Sequence, residues 1–273
     1  MPHINDPARR KTALITGASS GIGAAFAEVF ASEGFDLVVT ARRESRLHDL
    51  ADRLHRQYGA HIDVIVADLT RPDAAARLFG TIHERGITVD ALVNSAGFGA
   101  SGGYMTAPLT GHQNMLQVMV AATSELTYLS LPGMLERGYG RIVNVASTAG
   151  LAPTGAGTMY GAAKAFVVTF SVSLGREVSR RGVYVTAVCP GLTRTEFHER
   201  PELFATVKNM PHWMWMDPLD VARRGFRASM SGTSVCVTGG VNRLMVALLR
   251  YAPLTLLRNV ARFALGPRRT SAP

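Results

Sequence analysis

Short apolar runs rich in β-branched residues alternate along this chain with longer segments of helical period. This alternation is typical of a parallel sheet whose strands are joined by crossover helices. Strands are predicted at 12–16, 36–40, 62–67, 90–93, 141–146, 183–188 and 234–238, and helical segments at 21–33, 44–57, 72–84, 112–137 and 158–181, with Asp217 capping another. Because no linker divides them, residues 10–240 are predicted to form one doubly wound α/β domain, with helices on both faces of a seven-stranded, mainly parallel sheet.

The composition is that of an ordinary globular protein, with 47% hydrophobic and 18% charged residues. Polar residues, glycine or proline break every long uncharged stretch, so no membrane-spanning helix is predicted. Residues 1–11 lack the apolar core of a secretory signal, and two cysteines, Cys189 and Cys236, indicate a reducing compartment. A cytoplasmic protein without a metal site is therefore expected.

The net charge of +9 arises entirely near the carboxyl end. No acidic residue follows Asp220, whereas nine arginines lie from Arg223 to Arg269. Residues 241–273 have helical period and predict a basic amphipathic extension. Packing of this extension against the domain or a second subunit is the interpretation we favour, and contact of 241–269 with an anionic membrane surface is the alternative. Aromatic platforms and a recognised nucleic-acid-binding motif are missing, so no nucleic acid is expected as a partner.

A glycine-rich turn follows the first predicted strand directly and opens the first helix. It reads Thr16-Gly17-Ala18-Ser19-Ser20-Gly21-Ile22-Gly23. Glycines allow a tight turn and let the backbone approach a pyrophosphate, while a helix N-terminus supplies oriented N–H donors. An ordinary strand-to-helix turn can use the same residues, but the position after a strand favours a dinucleotide coenzyme.

The end of the second predicted strand indicates which dinucleotide binds. A carboxylate at this position would accept hydrogen bonds from the ribose hydroxyls of NAD, whereas a guanidinium would pair with the 2′-phosphate of NADP. Ala41 offers no carboxylate, and Arg42 and Arg43 follow it. We therefore predict NADP(H) rather than NAD, with Arg42 as the phosphate contact and Arg43 in support; the alternative is that both arginines only solvate a loop.

Three side chains form the strongest catalytic pattern in the sequence. Tyr160 and Lys164 are four residues apart and share one helix face, and Ser147 follows the fifth strand thirteen residues earlier. A free tyrosine has a pKa of about 10, and a fixed cation nearby stabilises its phenolate. We therefore expect Lys164 to lower the pKa of Tyr160 so that the phenol can act as an acid or base.

These motifs, in this order, resemble the short-chain dehydrogenase/reductase family over roughly residues 10–240. The resemblance implies a Rossmann fold and hydride transfer between a nicotinamide and a carbonyl or secondary alcohol. It makes Tyr160 the acid/base, Ser147 the residue that orients the substrate oxygen, and Lys164 a ligand of the nicotinamide ribose. Further coenzyme contacts are implied at Asp68, Leu69, Asn94, Ala96, Gly97, Pro190, Gly191, Thr193 and Thr195. Members of the family commonly assemble as dimers or tetramers.

One residue departs from the family pattern in a way that affects chemistry. Met119 stands where the family has an asparagine that holds a proton-relay water, and a thioether accepts hydrogen bonds only weakly. By hypothesis, Thr123 or Asn114 replaces the asparagine. Alternatively turnover is slow, the substrate geometry differs, or Met119 is simply a core residue.

The segment 196–216 is long and apolar, and in the family such a segment forms a lid over the substrate. We predict that Phe197 and Trp213 from this lid, together with Phe98, bind an apolar carbonyl or alcohol substrate beside Ser147 and Tyr160. The alternative for each aromatic residue is that it only packs the lid down. A second function also stays open, that of a catalytically weak NADP-binding scaffold or membrane adaptor, which Met119 alone supports.

Overall fold

The computed structural model describes residues 9–99, 103–151, 158–198 and 210–251. The strands are β1 (Thr12–Thr16), β2 (Asp36–Thr40), β3 (Ile62–Val64), β4 (Ala91–Asn94), β5 (Gly140–Val145), β6 (Val183–Cys189) and β7 (Val235–Val237). The α-helices are α1 (Gly21–Ser32), α2 (Glu44–Tyr58), α3 (Ala74–Glu84), α4 (Leu109–Leu116), α5 (Ala122–Glu136), α6 (Thr158–Val178), α7 (Pro218–Met230) and α8 (Gly240–Tyr251).

The strands form one sheet in the order β3-β2-β1-β4-β5-β6-β7, and each neighbouring pair is parallel. The order reverses at β1, which pairs with β2 on one side and β4 on the other. The ligand crevice of such a sheet lies at this reversal, beyond the carboxyl ends of the strands. The predicted doubly wound fold is confirmed, and the described sheet is parallel throughout.

Successive residues of a strand face opposite sides of a sheet, so the two faces have separate cores. Ile15 belongs to the core under α1, α2 and α7, where the rings of Phe30 and Phe226 meet edge to face at 4.9 Å. Its neighbour Leu14 belongs to the core under α3, α5 and α6. Because its side chains alternate between these two cores, each strand is held in one orientation. The loops that follow the strands and form the crevice are therefore held in place as well.

The predicted helix over 112–137 is interrupted. A π-helical turn at Gln117–Ala121 separates α4 from α5 and carries the buried Met119. A π turn accommodates an extra residue per turn and is frequent at functional sites. The periodicity of the sequence gives no sign of this turn.

The predicted strand over 62–67 is shorter in its regular pairing, which ends at Val64. The N–H groups of Ile65 and Ala67 still donate to carbonyl groups of β2 and the residue after it, at 3.1 and 3.2 Å. The chain thus remains extended to the edge of the crevice, as the apolar run predicts.

The apolar stripe of α8 packs only partly against the domain, and packing of the exposed part against a second subunit stays a prediction. Val241, Leu244 and Leu248 are 41%, 62% and 62% exposed, whereas the polar Asn242 is buried. The domain contacts the helix through Asn242, and Val241, Leu244 and Leu248 are left in solvent. None of the helices within the described ranges combines the length and hydropathy needed to cross a membrane. Residues 252–273 of the predicted extension lie outside the described residues.

Candidate active site

A cavity of about 670 Å³ lies at the carboxyl ends of the strands, where the sheet order reverses. Predicted coenzyme residues line it at Gly17, Ser19, Ser20, Gly21, Ile22, Gly23, Arg42, Arg43, Asp68, Leu69, Ala96, Gly97, Pro190, Gly191, Thr193 and Thr195. The predicted catalytic residues Ser147, Tyr160 and Lys164 line the same cavity. The fold therefore brings nearly all of the predicted site together, with Thr16 and Asn94 as the exceptions on the coenzyme side.

The glycine turn is built from conformations that only glycine adopts readily. Gly17 has a φ of 68°, and a Cβ there would lie 2.9 Å from the backbone of Ala96. A Cβ at Gly23 would lie 2.3 Å from the carbonyl oxygen of Gly17. These glycines let β1, α1 and the loop after β4 approach one another, which leaves the backbone itself as the wall of the cavity.

The N-terminus of α1 lies in this wall of the cavity. Ser20 is the cap residue of α1, yet its side chain makes no hydrogen bond to the helix. Because the first N–H groups of a helix have no partner within the helix, they can bind an anion, and the helix dipole favours negative charge there. A pyrophosphate fits this position, so the described residues are compatible with the dinucleotide that the sequence predicts.

The side chains of Thr16 and Asn94 lie behind the cavity rather than in its wall, and their role as coenzyme contacts stays a prediction. The Thr16 hydroxyl accepts hydrogen bonds from the N–H groups of Ser95 and Ala96, at 3.0 and 3.1 Å, and so fixes the loop after β4. The Asn94 amide donates to the side chain of Asn144 at 2.9 Å, across β4 and β5. Both side chains are buried because a strand end inside a sheet points them at neighbouring strands.

The two arginines after β2 both reach the cavity. Arg43 donates to the hydroxyls of Ser20 and Ser19 at 2.7 and 3.1 Å, so it lies directly over the glycine turn. Arg43 also forms an ion pair with Glu196. Asp68, at the next loop, accepts hydrogen bonds from the backbone and hydroxyl of Thr70, which orients its carboxylate at the cavity.

The three catalytic candidates are held by β5 and α6. Ser147 lies two residues beyond β5, and its hydroxyl accepts a hydrogen bond from the N–H of Ala149 at 3.1 Å. Gly150 makes this turn possible, since a Cβ there would lie 2.5 Å from the backbone of Lys164. The Lys164 ammonium donates to the carbonyl of Val145 at 2.7 Å and lies 5.7 Å from the centre of the Tyr160 ring.

The protonation of the pair differs from our expectation. Burial raises the pKa of Tyr160, and a hydrogen bond from Ser147 lowers it by less. Burial also lowers the pKa of Lys164 to about 8, so the cation that was expected to stabilise the phenolate is itself destabilised. The expected net lowering of the Tyr160 pKa is therefore wrong for the protein alone, and Lys164 is the group whose pKa lies near neutrality.

Met119 takes the place of the relay asparagine and is fully packed. It is 1% exposed, lies in the wall of the cavity, and its Cε would be 2.9 Å from a Cβ at Gly97. Neither hypothetical replacement lines the cavity among the described residues, because Asn114 is exposed and Thr123 is buried elsewhere. The core role of Met119 that the sequence left open agrees with this packing.

The part of the cavity next to Tyr160 is apolar. Phe98 and Phe197 line it as predicted, and the Phe197 ring lies 5.7 Å from that of Tyr160. Trp213 does not line it and is 67% exposed, because the turn at His212–Met214 directs Met214 inward instead. Residues 199–209 of the predicted lid lie outside the described residues.

Sequence reasoning missed several residues of this wall: His112, Met115, Asn242 and Met245. Asn242 packs against the Pro190–Gly191 turn so closely that a Cβ at Gly191 would lie 2.3 Å from its amide. The available signal was a polar residue, Asn242, beside the apolar positions Val241, Leu244 and Met245. In the described ranges no group of three or more His, Cys, Asp or Glu could hold a metal ion.

Comparison with known proteins supports the fold and the site described above. The family model of the short chain dehydrogenases matches residues 11–203. An uncharacterised oxidoreductase of Staphylococcus saprophyticus is 33% identical over 227 residues, which cover 83% of this chain and 94% of that protein. Two solved structures are similar: a short-chain dehydrogenase from Sphingobium yanoikuyae in complex with NADPH, with 34% identity and a TM-score of 0.78, and the bulky-bulky ketone specific alcohol dehydrogenase from Comamonas testosteroni, with 30% identity and a TM-score of 0.74. The matches cover 96% of this chain in each case, and 98% and 96% of those chains.

The matched region contains the glycine turn, Ser147, Tyr160 and Lys164, and these residues meet in one cavity. The chain belongs to the short-chain dehydrogenase family of oxidoreductases.

Proposed function

We propose that this protein is an NADP(H)-dependent oxidoreductase that transfers a hydride between the nicotinamide and the carbonyl or secondary alcohol carbon of an apolar small molecule. The observation that carries this proposal is the meeting of Ser147, Tyr160 and Lys164 with the glycine turn in one cavity. Reduction is the proposed cellular direction, because it is the direction that NADPH supports.

In reduction, the Tyr160 hydroxyl donates a proton to the substrate oxygen as the carbonyl becomes an alcohol. Ser147 donates a hydrogen bond to the same oxygen and stabilises the negative charge that develops there. The reduced nicotinamide, when bound, supplies the hydride. Lys164, whose pKa is about 8, can return a proton to Tyr160 near neutral pH. Pro190, Gly191, Thr193 and Thr195 would hold the nicotinamide end of the coenzyme.

The lining of the cavity supports an apolar substrate. Phe98, Phe197, Met115 and Met214 surround the space next to Tyr160. Methionine side chains are flexible and adapt to irregular apolar surfaces. The similar enzyme of Comamonas testosteroni is specific for bulky-bulky ketones, and we extend that class of substrate to this chain.

The proposal is tested by NADPH oxidation with a panel of apolar aldehydes, ketones and oxoacyl thioesters. Turnover of at least one class is expected, with KM falling as the apolar part of the substrate grows. The competing function, an NADP-linked scaffold, predicts that NADPH binds tightly while every substrate fails.

The proposed coenzyme preference depends on Arg42. The Arg42→Ala variant is expected to raise the Kd for NADPH about 10-fold and to leave that for NADH within about 2-fold, because a charge-assisted contact to a phosphate contributes about 1.5 kcal/mol or more. Coenzyme fluorescence titration measures both constants. Arg53→Ala, on the helix that follows Arg42 but paired with Glu28, is the control and is expected to change neither. Equal weakening of both coenzymes in Arg42→Ala would contradict a phosphate contact.

The exposed stripe of α8 supports one addition, contact with an anionic membrane surface. Leu244 and Leu248 face solvent on a helix that also exposes Arg243, in a chain without acidic residues after Asp220. We expect binding to phosphatidylserine vesicles that salt weakens, and the Leu244→Ser/Leu248→Ser variant to lose most of it in a sedimentation test. Phosphatidylcholine vesicles are the control. If the variant instead dissociates an oligomer in size-exclusion chromatography, the stripe is an interface between copies. Assembly as a dimer or tetramer and a cytoplasmic location stay predictions.

A further inference from the structure

Glu196 connects two walls of the cavity, the segment after β6 and the start of α2. It begins the segment that follows the nicotinamide loop, and its carboxylate accepts a hydrogen bond from Arg43 at 2.7 Å and another from Arg46. Arg43 precedes α2 and Arg46 lies in its first turn. The contact therefore spans from the carboxyl end of β6 to that of β2, across the side of the cavity next to the glycine turn.

The guanidinium of Arg43 is surrounded by oxygen atoms of this chain. One side faces the hydroxyls of Ser19 and Ser20, and the other faces Glu196. The hydrogen bonds from Arg43 and Arg46 lower the pKa of Glu196, so its carboxyl group is an anion at neutral pH. An anion between two arginines, beside serine hydroxyls and a helix N-terminus, occupies the kind of position that binds a phosphate.

We propose that Glu196 is an internal competitor for the 2′-phosphate of the coenzyme, a role that rests on the proposed NADP(H) specificity. The phosphate, beside Arg42, would draw on the Arg43 guanidinium that the carboxylate already occupies, and two anions at one site repel each other. Binding of NADP(H) therefore displaces Glu196 from Arg43 and Arg46, whereas binding of NAD(H), which lacks this phosphate, leaves the ion pairs in place. Only the phosphorylated coenzyme has to break these ion pairs when it binds. The free energy of breaking them lets Glu196 set the selectivity of the coenzyme site.

The next residue extends this competition to the substrate side. Phe197 packs against the ring of Tyr160 at 5.7 Å, and both residues line the cavity. If Glu196 moves with its backbone, Phe197 moves with it. That movement would couple the phosphate of the coenzyme to the substrate pocket through two consecutive residues.

The test compares Kd values for NADPH and NADH by fluorescence titration of the purified full chain. Glu196→Gln removes the charge and keeps the shape of the side chain. It is expected to tighten NADPH binding about 3- to 10-fold, a range set by two half-exposed ion pairs, and to change NADH binding by less than about 2-fold. The gain should shrink in 0.5 M salt, which screens exposed charges. Glu196→Asp, which keeps the charge, should stay near the parent ratio.

Glu44→Gln is the matched control, because it removes a negative charge at the start of α2, close to Arg43 and Arg46, from a carboxylate whose ion pair in the described structure is with His48. It is expected to leave the ratio of the two constants unchanged. Weaker NADPH binding in Glu196→Gln, an equal change for both coenzymes, or no change would overturn the competition. If the parent protein fails to bind NADPH at all, the proposed coenzyme specificity fails as well; tight parental binding with an unchanged ratio overturns only the role of Glu196.

Discussion

Replacing Tyr160 with phenylalanine is expected to lower kcat for carbonyl reduction by about 10²- to 10⁴-fold, the usual contribution of a positioned acid or base. The substitution removes one oxygen atom from the cavity and leaves the ring in place beside Phe197. The Kd for NADPH should therefore change by less than about 2-fold. Single-turnover kinetics and fluorescence titration measure the two quantities separately.

The matched control is Tyr128→Phe, the same chemical change at a side chain on α5 that is 75% exposed. It is expected to leave both kcat and the free energy of unfolding unchanged. A Tyr160→Phe enzyme that retains more than about a tenth of the parent turnover would rule out Tyr160 as the proton donor and would turn attention to Ser147 or to a bound water.

Replacing Lys164 with methionine is expected to stabilise the protein at pH 7 while lowering kcat by about 10²-fold or more. Lys164 is 6% exposed, and its pKa is lowered from 10.5 to about 8 by burial. That shift corresponds to about 3 kcal/mol of unfavourable free energy in the folded state. Loss of the hydrogen bond to Val145 destabilises the variant by about 1 kcal/mol. We therefore expect a net gain of about 2 kcal/mol in the free energy of unfolding.

The pH dependence of this gain follows from the lowered pKa. Below pH 8 the Lys164 side chain is protonated in both states and the full cost of burying the cation is present. Between pH 8 and 10.5 the unfolded chain binds more protons than the folded protein, so the lysine form gains stability as the pH rises. The advantage of Lys164→Met should therefore disappear near pH 10. Urea unfolding at pH 7 and pH 10 measures it.

Lys11→Met, at an exposed position, is the control for the loss of one positive charge and should show no such pH-dependent gain. A Lys164→Met protein that is less stable than the parent at pH 7 would show that the hydrogen bond to Val145 outweighs the buried charge.

The alternation of strands and helices was sufficient to predict the sheet, because a parallel strand is a short apolar run and a crossover helix has a separate period. The site followed from the same order, since the glycine turn, Ser147 and the Pro190–Gly191 turn each come directly after a strand. Local sequence could therefore place these residues at one edge of the sheet.

Other features depend on contacts between distant residues and leave no local pattern. The ion pair of Arg43 with Glu196 joins residues 153 positions apart. The inward turn of Asn94 and the outward turn of Trp213 depend on which neighbour each side chain meets. The pKa of Lys164 depends on how completely the fold removes it from water. Motif spacing contains none of this information.

The packing of Asn242 against Gly191 has a consequence for synthesis of the protein. The turn at Gly191 lines the cavity, and the amide that packs against it comes from α8, beyond the last strand. A chain still on the ribosome can pair most of its sheet before residue 242 emerges, but its cavity then lacks one wall. Coenzyme therefore meets the complete cavity only late in translation, after the start of α8 has docked.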